Sequence, residues 1–454
     1  MSSMAAIILA AGEVTRSHSL RPRLGQMICG KPMVEHVTDN ANLLTDNLIV
    51  VVDPGNDEVQ KVLGAERARY ICRERQRGTG EAMKAALASL PDSGSALILH
   101  GDMPLLLPRT LEKIAQVARE RAAVILTARA PYPSGRGRII RKGKEDIGAI
   151  VEEREATEEE KAIEEIDTGV YCFVIGMLKK YLPLIRPRKT AGAYFFADII
   201  SLMVKDGLEV GAVMTEDYKE GLKIKDFLQL AEAAKVMCRR INRKLMEAGV
   251  NIIDPDSVFI DAGVEVGCDT VIYPQTIIEG RSRIGKGCRI GPGTHLRDVS
   301  IDDRCTVRNS VAEESVIQKG ANIGPFAYLR PGTVIGEGVK IGNFVEVKNS
   351  DVGAGSKIPH LSYIGDADIG TGVNFGAGSI IVNYDGQIKH RTSVQKDSFI
   401  GCNSNLIAPI RIGTGAYVAA GSTLNKDVPA GALALGRAYQ VNKPGMAKRF
   451  LKEK

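Results

Sequence analysis

Residues 333–342 read TVIGEGVKIG, in which the pairs Ile335-Gly336 and Ile341-Gly342 stand six residues apart. Aliphatic residues continue at this spacing in both directions, with a few shifts of register, from Val266 to Leu424. A six-residue repeat is typical of a parallel β-helix, in which each flat face takes one hexapeptide and its aliphatic residue points inward. Glycine after the aliphatic residue favours the corner between two faces. The pattern therefore predicts a solenoid of triangular coils.

One stretch of the repeat lacks the six-residue pattern. Between Ile381 and Ile400 the sequence reads VNYDGQIKHRTSVQKDSF. We expect this whole stretch to leave the solenoid as a loop while the coil resumes beneath it. Long loops on rigid scaffolds often carry function, and a plain insertion is the alternative.

The first half of the chain has a different pattern, in which short apolar runs alternate with amphipathic stretches. The apolar runs, which predict buried parallel strands, are residues 5–10, 47–53, 95–102 and 122–128. Helical stretches lie between them, including 80–90 and 109–121. This alternation predicts an α/β doubly wound domain. Residues 226–248 have apolar positions at helical spacing and precede Gly249, which predicts one long connecting helix.

Composition narrows the class of protein. Of 454 residues, 44% are hydrophobic and 25% are charged, and no apolar run approaches the ~20 residues of a bilayer span. The 60 Lys and Arg residues are interleaved with 54 Asp and Glu residues, so the net charge of +6 does not indicate a nucleic-acid binder. Eight scattered cysteines without CxxC pairs fit reduced thiols. We expect a cytoplasmic protein with neither nucleic-acid nor membrane partners.

Three features together resemble one family over nearly the whole chain. They are the strand and turn LAAGEVTR at residues 9–16, the run HGDMPL at residues 100–105, and a hexapeptide solenoid joined by a helical arm. They resemble the GlmU-type UDP-N-acetylglucosamine pyrophosphorylases and glucosamine-1-phosphate acetyltransferases. The resemblance implies a nucleotidyltransferase domain at 1–227, a helical linker at 228–248 and a left-handed parallel β-helix acetyltransferase domain at 249–454. It also implies a homotrimer with sites between neighbouring chains, the co-substrates acetyl-CoA and UTP, and Mg²⁺.

The resemblance assigns roles in the acetyltransferase half residue by residue. Transfer of an acetyl group to the amine of glucosamine-1-phosphate needs a general base, and His360 matches the family's catalytic histidine. The positions that contact the sugar phosphate match Arg330, Lys348, Tyr363 and Asn374, with Lys389 as a further cation. The acetyl-CoA positions match Asn383, Tyr384, Cys402, Ala420 and Arg437. Cys402 stands where the family usually has serine.

The nucleotidyltransferase half matches the family in outline. Asp102 matches a Mg²⁺ carboxylate at the carboxyl end of a predicted strand, where open α/β sheets bind ligands. The nucleotide and sugar positions match Leu9, Ala10, Ala11, Gly12, Arg23, Arg73, Gly78, Thr79, Gly137, Glu152 and Asp167. Arg16 matches a phosphate-side cation.

Several of these positions depart from the family pattern. Val14 replaces a glycine that lets backbone approach phosphate, and Arg23 replaces the catalytic lysine. Arg73 stands at the glutamine that reads uracil, Asp167 at an asparagine, and Lys225 at the second Mg²⁺ ligand. A charged lysine has no lone pair to offer a metal ion. The first domain is therefore either a working uridylyltransferase with shifted contacts, or a structural or binding module on a monofunctional acetyltransferase.

Overall fold

The computed structural model describes residues 4–11, 23–55, 57–73, 78–143, 146–187 and 194–451. The chain divides into two compact units, Met1–Met237 and Cys238–Lys454. Among the described residues, no helix combines the length and the apolar character that a bilayer crossing requires.

The first unit is built on one twisted sheet with the strand order β5-β4-β1-β6-β10-β7-β11-β9-β8. Its strands are β1 (Met4–Leu9), β4 (Leu48–Val52), β5 (Arg69–Cys72), β6 (Ser95–His100), β7 (Ala123–Arg129), β8 (Arg138–Lys142), β9 (Asp146–Val151), β10 (Glu165–Val174) and β11 (Val210–Met214). A separate short hairpin is formed by β2 (Met27–Ile28) and β3 (Lys31–Pro32). The four strands expected from the sequence are confirmed, and β10 lies between β6 and β7, antiparallel to both.

Helices cover both faces of this sheet. They are α1 (Met33–Asn42), α2 (Glu58–Leu63), α3 (Thr79–Leu87), α4 (Pro108–Val117), α5 (Glu158–Lys161), α6 (Ile175–Tyr181) and α7 (Asp198–Lys205), with 3₁₀ turns at Arg23–Gly25, Leu182–Leu184 and Tyr218–Gly221. Adjacent residues of β1 point to opposite faces, so Ile7 packs into one hydrophobic core and Ile8 into the other. This confirms the doubly wound α/β architecture.

A long helix begins in the first unit and ends in the second, as the sequence predicted. It is α8 (Phe227–Glu247), and Gly249 ends it with φ of 93°. The Val250 N–H donates to the Leu245 carbonyl over 3.1 Å, and the Gly249 N–H donates to Met246 over 3.0 Å. These two bonds form a Schellman motif, in which a left-handed glycine satisfies the last carbonyls of a helix.

The second unit consists of stacked parallel strands on three faces, which confirms the β-helix. Face 1 contains β12 (Asn251–Ile252), β15 (Val271–Ile272), β18 (Arg289–Ile290), β21 (Thr306–Val307), β24 (Asn322–Ile323), β27 (Lys340–Asn343), β30 (Lys357–His360), β33 (Asn374–Phe375), β36 (Phe399–Ile400), β39 (Tyr417–Val418) and β41 (Leu433–Ala434). Face 2 contains β13 (Phe259–Ile260), β16 (Ile277–Glu279), β19 (His295–Arg297), β22 (Val311–Glu313), β25 (Tyr328–Leu329), β28 (Glu346–Lys348), β31 (Tyr363–Gly365), β34 (Ile380–Val382), β37 (Asn405–Ile407) and β40 (Thr423–Leu424). Face 3 contains β14 (Glu265–Val266), β17 (Arg283–Ile284), β20 (Ser300–Ile301), β23 (Val316–Ile317), β26 (Val334–Ile335), β29 (Asp351–Val352), β32 (Ala367–Ile369), β35 (Thr392–Val394) and β38 (Ile410–Ile412). A 3₁₀ turn at Met446–Arg449 follows the last coil. With this sheet arrangement and the hexapeptide register, the unit is a left-handed parallel β-helix.

The interior of the coil is filled by the aliphatic residues of the six-residue register. Ile335, Ile341 and Val347, one from each face, are fully buried. Hydroxyl residues at the corners link neighbouring coils, as where Ser356 Oγ donates to the Gly370 carbonyl over 2.8 Å and accepts from the Val373 N–H over 3.0 Å. These bonds satisfy corner backbone that has no strand partner.

The expected loop is shorter than the sequence indicated. Only residues 383–391 leave the coil, because β35 already pairs with β32 and β38 on face 3. Val394 is fully buried in the core. The prediction that the whole stretch between Ile381 and Ile400 forms a loop is therefore wrong. The inserted hairpin breaks the six-residue count from the preceding coil, because Val394 stands 13 residues after Ile381, although it is again six residues before Ile400.

Candidate functional site

Five residues hold the same place in successive coils, immediately before the left-handed residue with which face 1 turns into face 2. They are Asn343, His360, Ala377, Cys402 and Ala420, and the residues that follow them have φ of 56°, 44°, 74°, 53° and 73°. We call this line the His360 edge. Neighbouring coils lie ~4.8 Å apart, so the edge from His360 to Ala420 is roughly 14 Å long. The edge therefore places His360, the expected base, in one line with Cys402 and Ala420, two of the expected acetyl-CoA positions.

The His360 ring is oriented by the residue one coil below it. Its Nδ1 lies 2.7 Å from Oδ1 of Asn343, and the two residues are register partners in β30 and β27. An amide oxygen only accepts, so Nδ1 carries the proton and Nε2 keeps its lone pair. The His360 side chain is exposed, which leaves Nε2 open to a substrate. Sequence reasoning missed Asn343, although its separation of 17 residues from His360 is one coil.

This contact gives a first testable prediction. In Asn343→Asp, a carboxylate accepts the same hydrogen bond and stabilises the imidazolium form, so the base is protonated over a wider pH range. We expect the acid limb of kcat/KM for acetyl transfer to move about one pH unit upward. Asn322→Asp, on the outer side of face 1, is the matched control and leaves the profile unchanged. An unshifted limb in Asn343→Asp contradicts this role for the pair.

Cationic side chains converge on face 2 beside the His360 edge. The pKa of Lys389 is lowered because the Lys348 side chain lies beside it, which is a like-charge contact that favours an anion between them. Arg330 donates to Glu346 Oε1 over 2.9 Å, and this bond raises the pKa of Arg330. Tyr363 is close enough to both Arg330 and Lys348 to act on their charges. Four residues expected to contact a sugar phosphate are thus near one another.

Asp366 organises this cluster and was missed by sequence reasoning. It is only 7% exposed and accepts from Nδ2 of Asn349 over 2.6 Å and from Nδ2 of Asn383 over 2.5 Å. Lys348 Nζ lies 3.6 Å from its Oδ2. Burial acts to raise the pKa of Asp366, but the amide donors and Lys348 outweigh burial and lower it. Asp366 therefore holds Asn383, an expected acetyl-CoA contact, against the cation cluster.

The loop at residues 383–391 is a hairpin. Tyr384 and Lys389 form its bridge, and the His390 N–H donates to the Asn383 carbonyl over 2.8 Å. Asp385 Oδ2 contacts His390 Nε2 at 2.7 Å, and that bond with two backbone N–H donors places the Asp385 pKa far below its usual range. The Tyr384 ring is half exposed at the tip. The loop is therefore held by its own hydrogen bonds, and its tip exposes an aromatic ring that a ligand could contact.

Two expected residues lie apart from this cluster within the chain. Asn374 is on the outer side of face 1, in β33. Arg437 follows the last coil, with its Cδ close to Gly421 at the upper end of the His360 edge. The structure thus brings together Arg330, Lys348, Tyr363, Asn383 and Lys389, and it places His360, Cys402, Ala420 and Arg437 along the edge.

A second candidate site is a cleft of about 190 Å³ in the first unit, at the carboxyl ends of strands β1 and β6. Of the expected residues, the cleft is lined by Leu9, Thr79, Gly137, Glu152, Asp167 and Lys225. Ala10 and Ala11 continue from β1, and the Ala10 N–H donates to Val51 over 2.9 Å. Gly12, Val14 and Arg16 lie outside the described residues, as does the side chain of Arg23.

Two of the glycines expected to contact the nucleotide or sugar, Gly78 and Gly137, have structural reasons to be glycine. Gly78 has φ of 90°, and a Cβ there would lie 2.5 Å from the Tyr194 carbonyl oxygen. It precedes Thr79, whose Oγ1 accepts from the Phe196 N–H over 3.2 Å at the start of α3. A Cβ on Gly137 would lie 3.1 Å from Ile150. A side chain at either position would therefore collide with a neighbouring part of the fold.

Asp167 is fixed on the wall of the cleft. Its N–H donates to the Gly137 carbonyl over 2.9 Å, and its Oδ1 accepts from the Gly169 N–H over 2.8 Å. Tyr171 donates its hydroxyl to Oδ2 over 2.5 Å. Burial raises the pKa of Asp167, while these donors and the nearby Lys223 act to lower it.

The expected Mg²⁺ position does not have the ligands of a magnesium site. Mg²⁺ takes oxygen ligands, usually from one or two carboxylates, whereas the expected second ligand position is Lys225, and the Lys223 ammonium lies near both Asp102 and Lys225. No three His, Cys, Asp or Glu side chains within the described ranges come together to hold a metal ion. The donor set therefore does not fit a protein-bound Mg²⁺.

Arg73, the expected base-reading position, makes a buried ion pair with Asp53, and both side chains are 6% exposed. Arg73 is not among the residues that line the described part of the cleft. The Arg73 guanidinium therefore pairs with Asp53 in the interior of the fold.

Known proteins match both halves of the chain. The MobA-like NTP transferase domain matches residues 6–165, and the bacterial transferase hexapeptide (six repeats) matches residues 263–298 and 314–349. A protein called "Bifunctional protein GlmU" from Geobacillus sp. (strain WCH70) is 45% identical over 98% of this chain and 98% of its own. Proteins of the same name from Brevibacillus brevis and Halalkalibacterium halodurans are each 44% identical, over 99% and 98% of this chain and 98% of their own. A solved CMP:2-keto-3-deoxy-manno-octonic acid synthetase complexed with CTP has 16% identity and a TM-score of 0.42 over 53% of this chain and 100% of its own, a likeness too distant to bear on function.

Proposed function

The chain belongs to the GlmU family of bifunctional proteins, and we propose on that premise that it carries two transferase activities. The second unit transfers acetyl from acetyl-CoA to glucosamine-1-phosphate, and the first unit transfers uridylyl from UTP to N-acetylglucosamine-1-phosphate. Residues 1–227 and 249–454 would serve the two reactions, with 228–248 as the linker, in the cytoplasm. Similarity over nearly the full length of each relative does not favour a monofunctional acetyltransferase.

The observation that carries the acetyltransferase assignment is His360 with an oriented, exposed Nε2 on the His360 edge. The amino group of glucosamine-1-phosphate is an ammonium at neutral pH, and its nitrogen must lose two protons to become an amide: one passes to water, and Nε2 takes the other. The nitrogen then forms a bond to the thioester carbon, the carbon–sulfur bond breaks, and the CoA sulfur leaves with the electron pair. The proton held by His360 can pass to that thiolate, which restores the neutral base.

Binding roles follow from charge and position. Arg330, Lys348 and Lys389 offer the sugar phosphate cationic donors, and a guanidinium can bind phosphate through two bonds. Tyr363 and Asn374 can pair with sugar hydroxyls. Asn383 and Tyr384 would bind acetyl-CoA from the loop, while Cys402, Ala420 and Arg437 would follow its extended arm along the His360 edge.

A homotrimer is part of this proposal, and an exposed apolar ladder supports it. Phe326, Phe344 and Leu361 occupy left-handed corner positions in three successive coils, and each is more than half exposed. The rings of Phe326 and Phe344 stack with centroids 5.5 Å apart. Bulky residues are costly in this conformation and in water, so burial against another copy of the chain explains them. The ladder lies next to His360, which fits a site completed by a neighbouring chain.

The ladder gives a second testable prediction. Asparagine adopts the left-handed conformation readily, so Phe344→Asn relieves backbone strain in the coil while it removes an apolar contact between chains. We expect the sedimentation coefficient at micromolar protein to fall from that of a trimer toward that of a monomer, with the far-UV spectrum unchanged. Val316→Asn, which removes an exposed apolar side chain from face 3, is the control and stays trimeric. A wild-type chain of monomeric mass would remove the trimer from the proposal.

The uridylyl reaction is assigned to the cleft of the first unit. A phosphate oxygen of N-acetylglucosamine-1-phosphate attacks the α-phosphorus of UTP in line, and a new phosphorus–oxygen bond forms. The bond from the α-phosphorus to the oxygen that bridges to the β-phosphate breaks, and pyrophosphate leaves with the electron pair. Arg136, Lys223 and Lys225 line the cleft and can stabilise the charge that develops there.

Two assays on the purified full chain test the function. Thiol release from acetyl-CoA with glucosamine-1-phosphate reports the first activity, and pyrophosphate release from UTP with N-acetylglucosamine-1-phosphate reports the second. We expect both to be positive. Thiol release without pyrophosphate release, whether or not MgCl₂ is present, would reduce the chain to an acetyltransferase with a second domain that has lost the reaction.

A further inference from the structure

Lys223 occupies the interior of the nucleotide cleft, close to the carboxylate that the family uses for its metal ion. Its Nζ lies 3.1 Å from Nε2 of His100, at the end of β6. A Cβ on Gly169 would come within 2.6 Å of the same Nζ, so the ammonium fills space that only a glycine leaves open. The Ile224 N–H donates to the Asp102 carbonyl over 3.0 Å, which fixes residues 223–225 beside Asp102.

Both acidic and basic side chains lie near the Lys223 ammonium. Burial lowers the pKa of Lys223, and the carboxylates of Asp102 and Asp167 oppose burial and favour the charged form. Arg136 and Lys225 lie near enough to act in the opposite sense. Before any ligand enters, three cationic side chains, Arg136, Lys223 and Lys225, are balanced by the carboxylates of Asp102, Glu152 and Asp167, so cationic groups are in place to meet a phosphorylated ligand.

We propose that the ammonium groups of Lys223 and Lys225 take the place of a protein-bound divalent cation in this cleft, so that a nucleoside diphosphate sugar or triphosphate binds without one. The inference rests on the proposed uridylyltransferase function. In it, the ammonium groups of Lys223 and Lys225 neutralise the phosphates of the bound nucleotide. Two ammonium groups together carry the two positive charges of Mg²⁺. They also repel a second cation at the same place, because like charges a few ångströms apart in a partly buried site interact strongly.

Calorimetric titration of UDP-N-acetylglucosamine into the full chain tests this directly, because binding is measured without turnover. We expect the Kd in EDTA to lie within about 3-fold of the Kd in MgCl₂. A Kd at least 10-fold tighter in MgCl₂ overturns the inference. Electron paramagnetic resonance of Mn²⁺ gives an independent readout, and we expect the wild-type chain with UDP-N-acetylglucosamine to leave the signal of free Mn²⁺ unchanged.

Variants separate the two lysines from general charge effects. Lys225→Asn restores an oxygen ligand beside Asp102, so we expect about 10-fold weaker binding in EDTA, a gain of affinity in MgCl₂ and a bound Mn²⁺ signal. Lys219→Asn removes the same charge from the preceding turn, outside the cleft lining, and should leave all three readouts as in wild type. Thiol release from acetyl-CoA confirms in each variant that the chain is folded.

The outcomes distinguish this inference from the function on which it rests. If binding and pyrophosphate release both require MgCl₂, the uridylyltransferase assignment stands, but the proposal that the lysines replace the metal ion is overturned. Absence of UDP-N-acetylglucosamine binding in both buffers overturns the uridylyltransferase assignment and the inference together. Binding in EDTA that Lys225→Asn does not weaken contradicts the role of Lys225.

Discussion

His360→Ala is expected to lower the rate of acetyl transfer by roughly 10²- to 10⁴-fold, the range that a general base contributes. The physical reason is that the substrate amine is protonated at neutral pH and cannot attack a thioester until its proton has an acceptor. His360 Nε2 is positioned for this by the bond between its Nδ1 and Asn343. The measurement is thiol release from acetyl-CoA under saturating glucosamine-1-phosphate.

The control for this variant is another histidine of the same solenoid. His295 lies on face 2, where its Nε2 contacts Glu279 over 2.7 Å, away from the His360 edge. His295→Ala should keep acetyl transfer near wild type, and both variants should keep the trimer and pyrophosphate release. If His360→Ala stays within a few-fold of wild type, another group is the base.

Gly342→Ala is expected to have the largest effect on stability. A Cβ at this position would lie 1.8 Å from the carbonyl oxygen of Pro359 and 2.5 Å from its carbonyl carbon, and backbone atoms cannot move aside as a flexible side chain can. Overpacking of this kind costs about 3 kcal/mol or more of unfolding free energy. Since Pro359 precedes His360, the displaced strand should also abolish acetyl transfer. Denaturant unfolding measures the first effect and thiol release the second.

Gly338→Ala, in the same coil, is the matched control. Gly338 has φ of 65° and open space around its would-be Cβ, so its cost is limited to backbone strain of about 1 kcal/mol. We expect this variant to keep both the trimer and the activity. If the two variants unfold at the same denaturant concentration, the close packing of β27 against β30 has been misjudged.

The regular parts of the fold could be predicted from the sequence because one physical rule repeats along them. Each hexapeptide places an aliphatic residue such as Ile335 inside and turns at the next glycine, so the register alone identifies the core. In the first unit, runs of buried aliphatic residues predicted the central parallel strands for the same reason. Gly249 marked the end of α8, since few other residues adopt the required left-handed conformation.

Features that depend on contacts between distant parts of the chain could not be predicted. Val394 returns to the core after an insertion of a length that no local rule fixes. Strand β10 enters the sheet between β6 and β7 through long-range pairing, and no local rule fixes that position. Phe326 and Phe344 read as ordinary apolar residues until the structure places both at exposed corners.

In the candidate sites, too, some residues could be predicted from the sequence, whereas the contacts that position them could not. The resemblance supplied His360 and the cationic residues, but each of them depends on a partner that became visible only in three dimensions. Asp366 gathers Lys348 and Asn383 at a corner, and Asn343 orients the base from one coil below. In the first unit, Lys223 drew no attention in the sequence, because a lysine two residues from Lys225 reads as surface charge.

The central claim is that this one chain converts glucosamine-1-phosphate into a nucleotide sugar, and a single measurement tests it most directly. The purified full chain is incubated with glucosamine-1-phosphate, acetyl-CoA and UTP, and the products are identified by mass spectrometry. We predict UDP-N-acetylglucosamine together with CoA and pyrophosphate, formed roughly 10²- to 10⁴-fold more slowly when His360→Ala replaces the wild-type chain. Accumulation of N-acetylglucosamine-1-phosphate with UTP unconsumed would contradict the account.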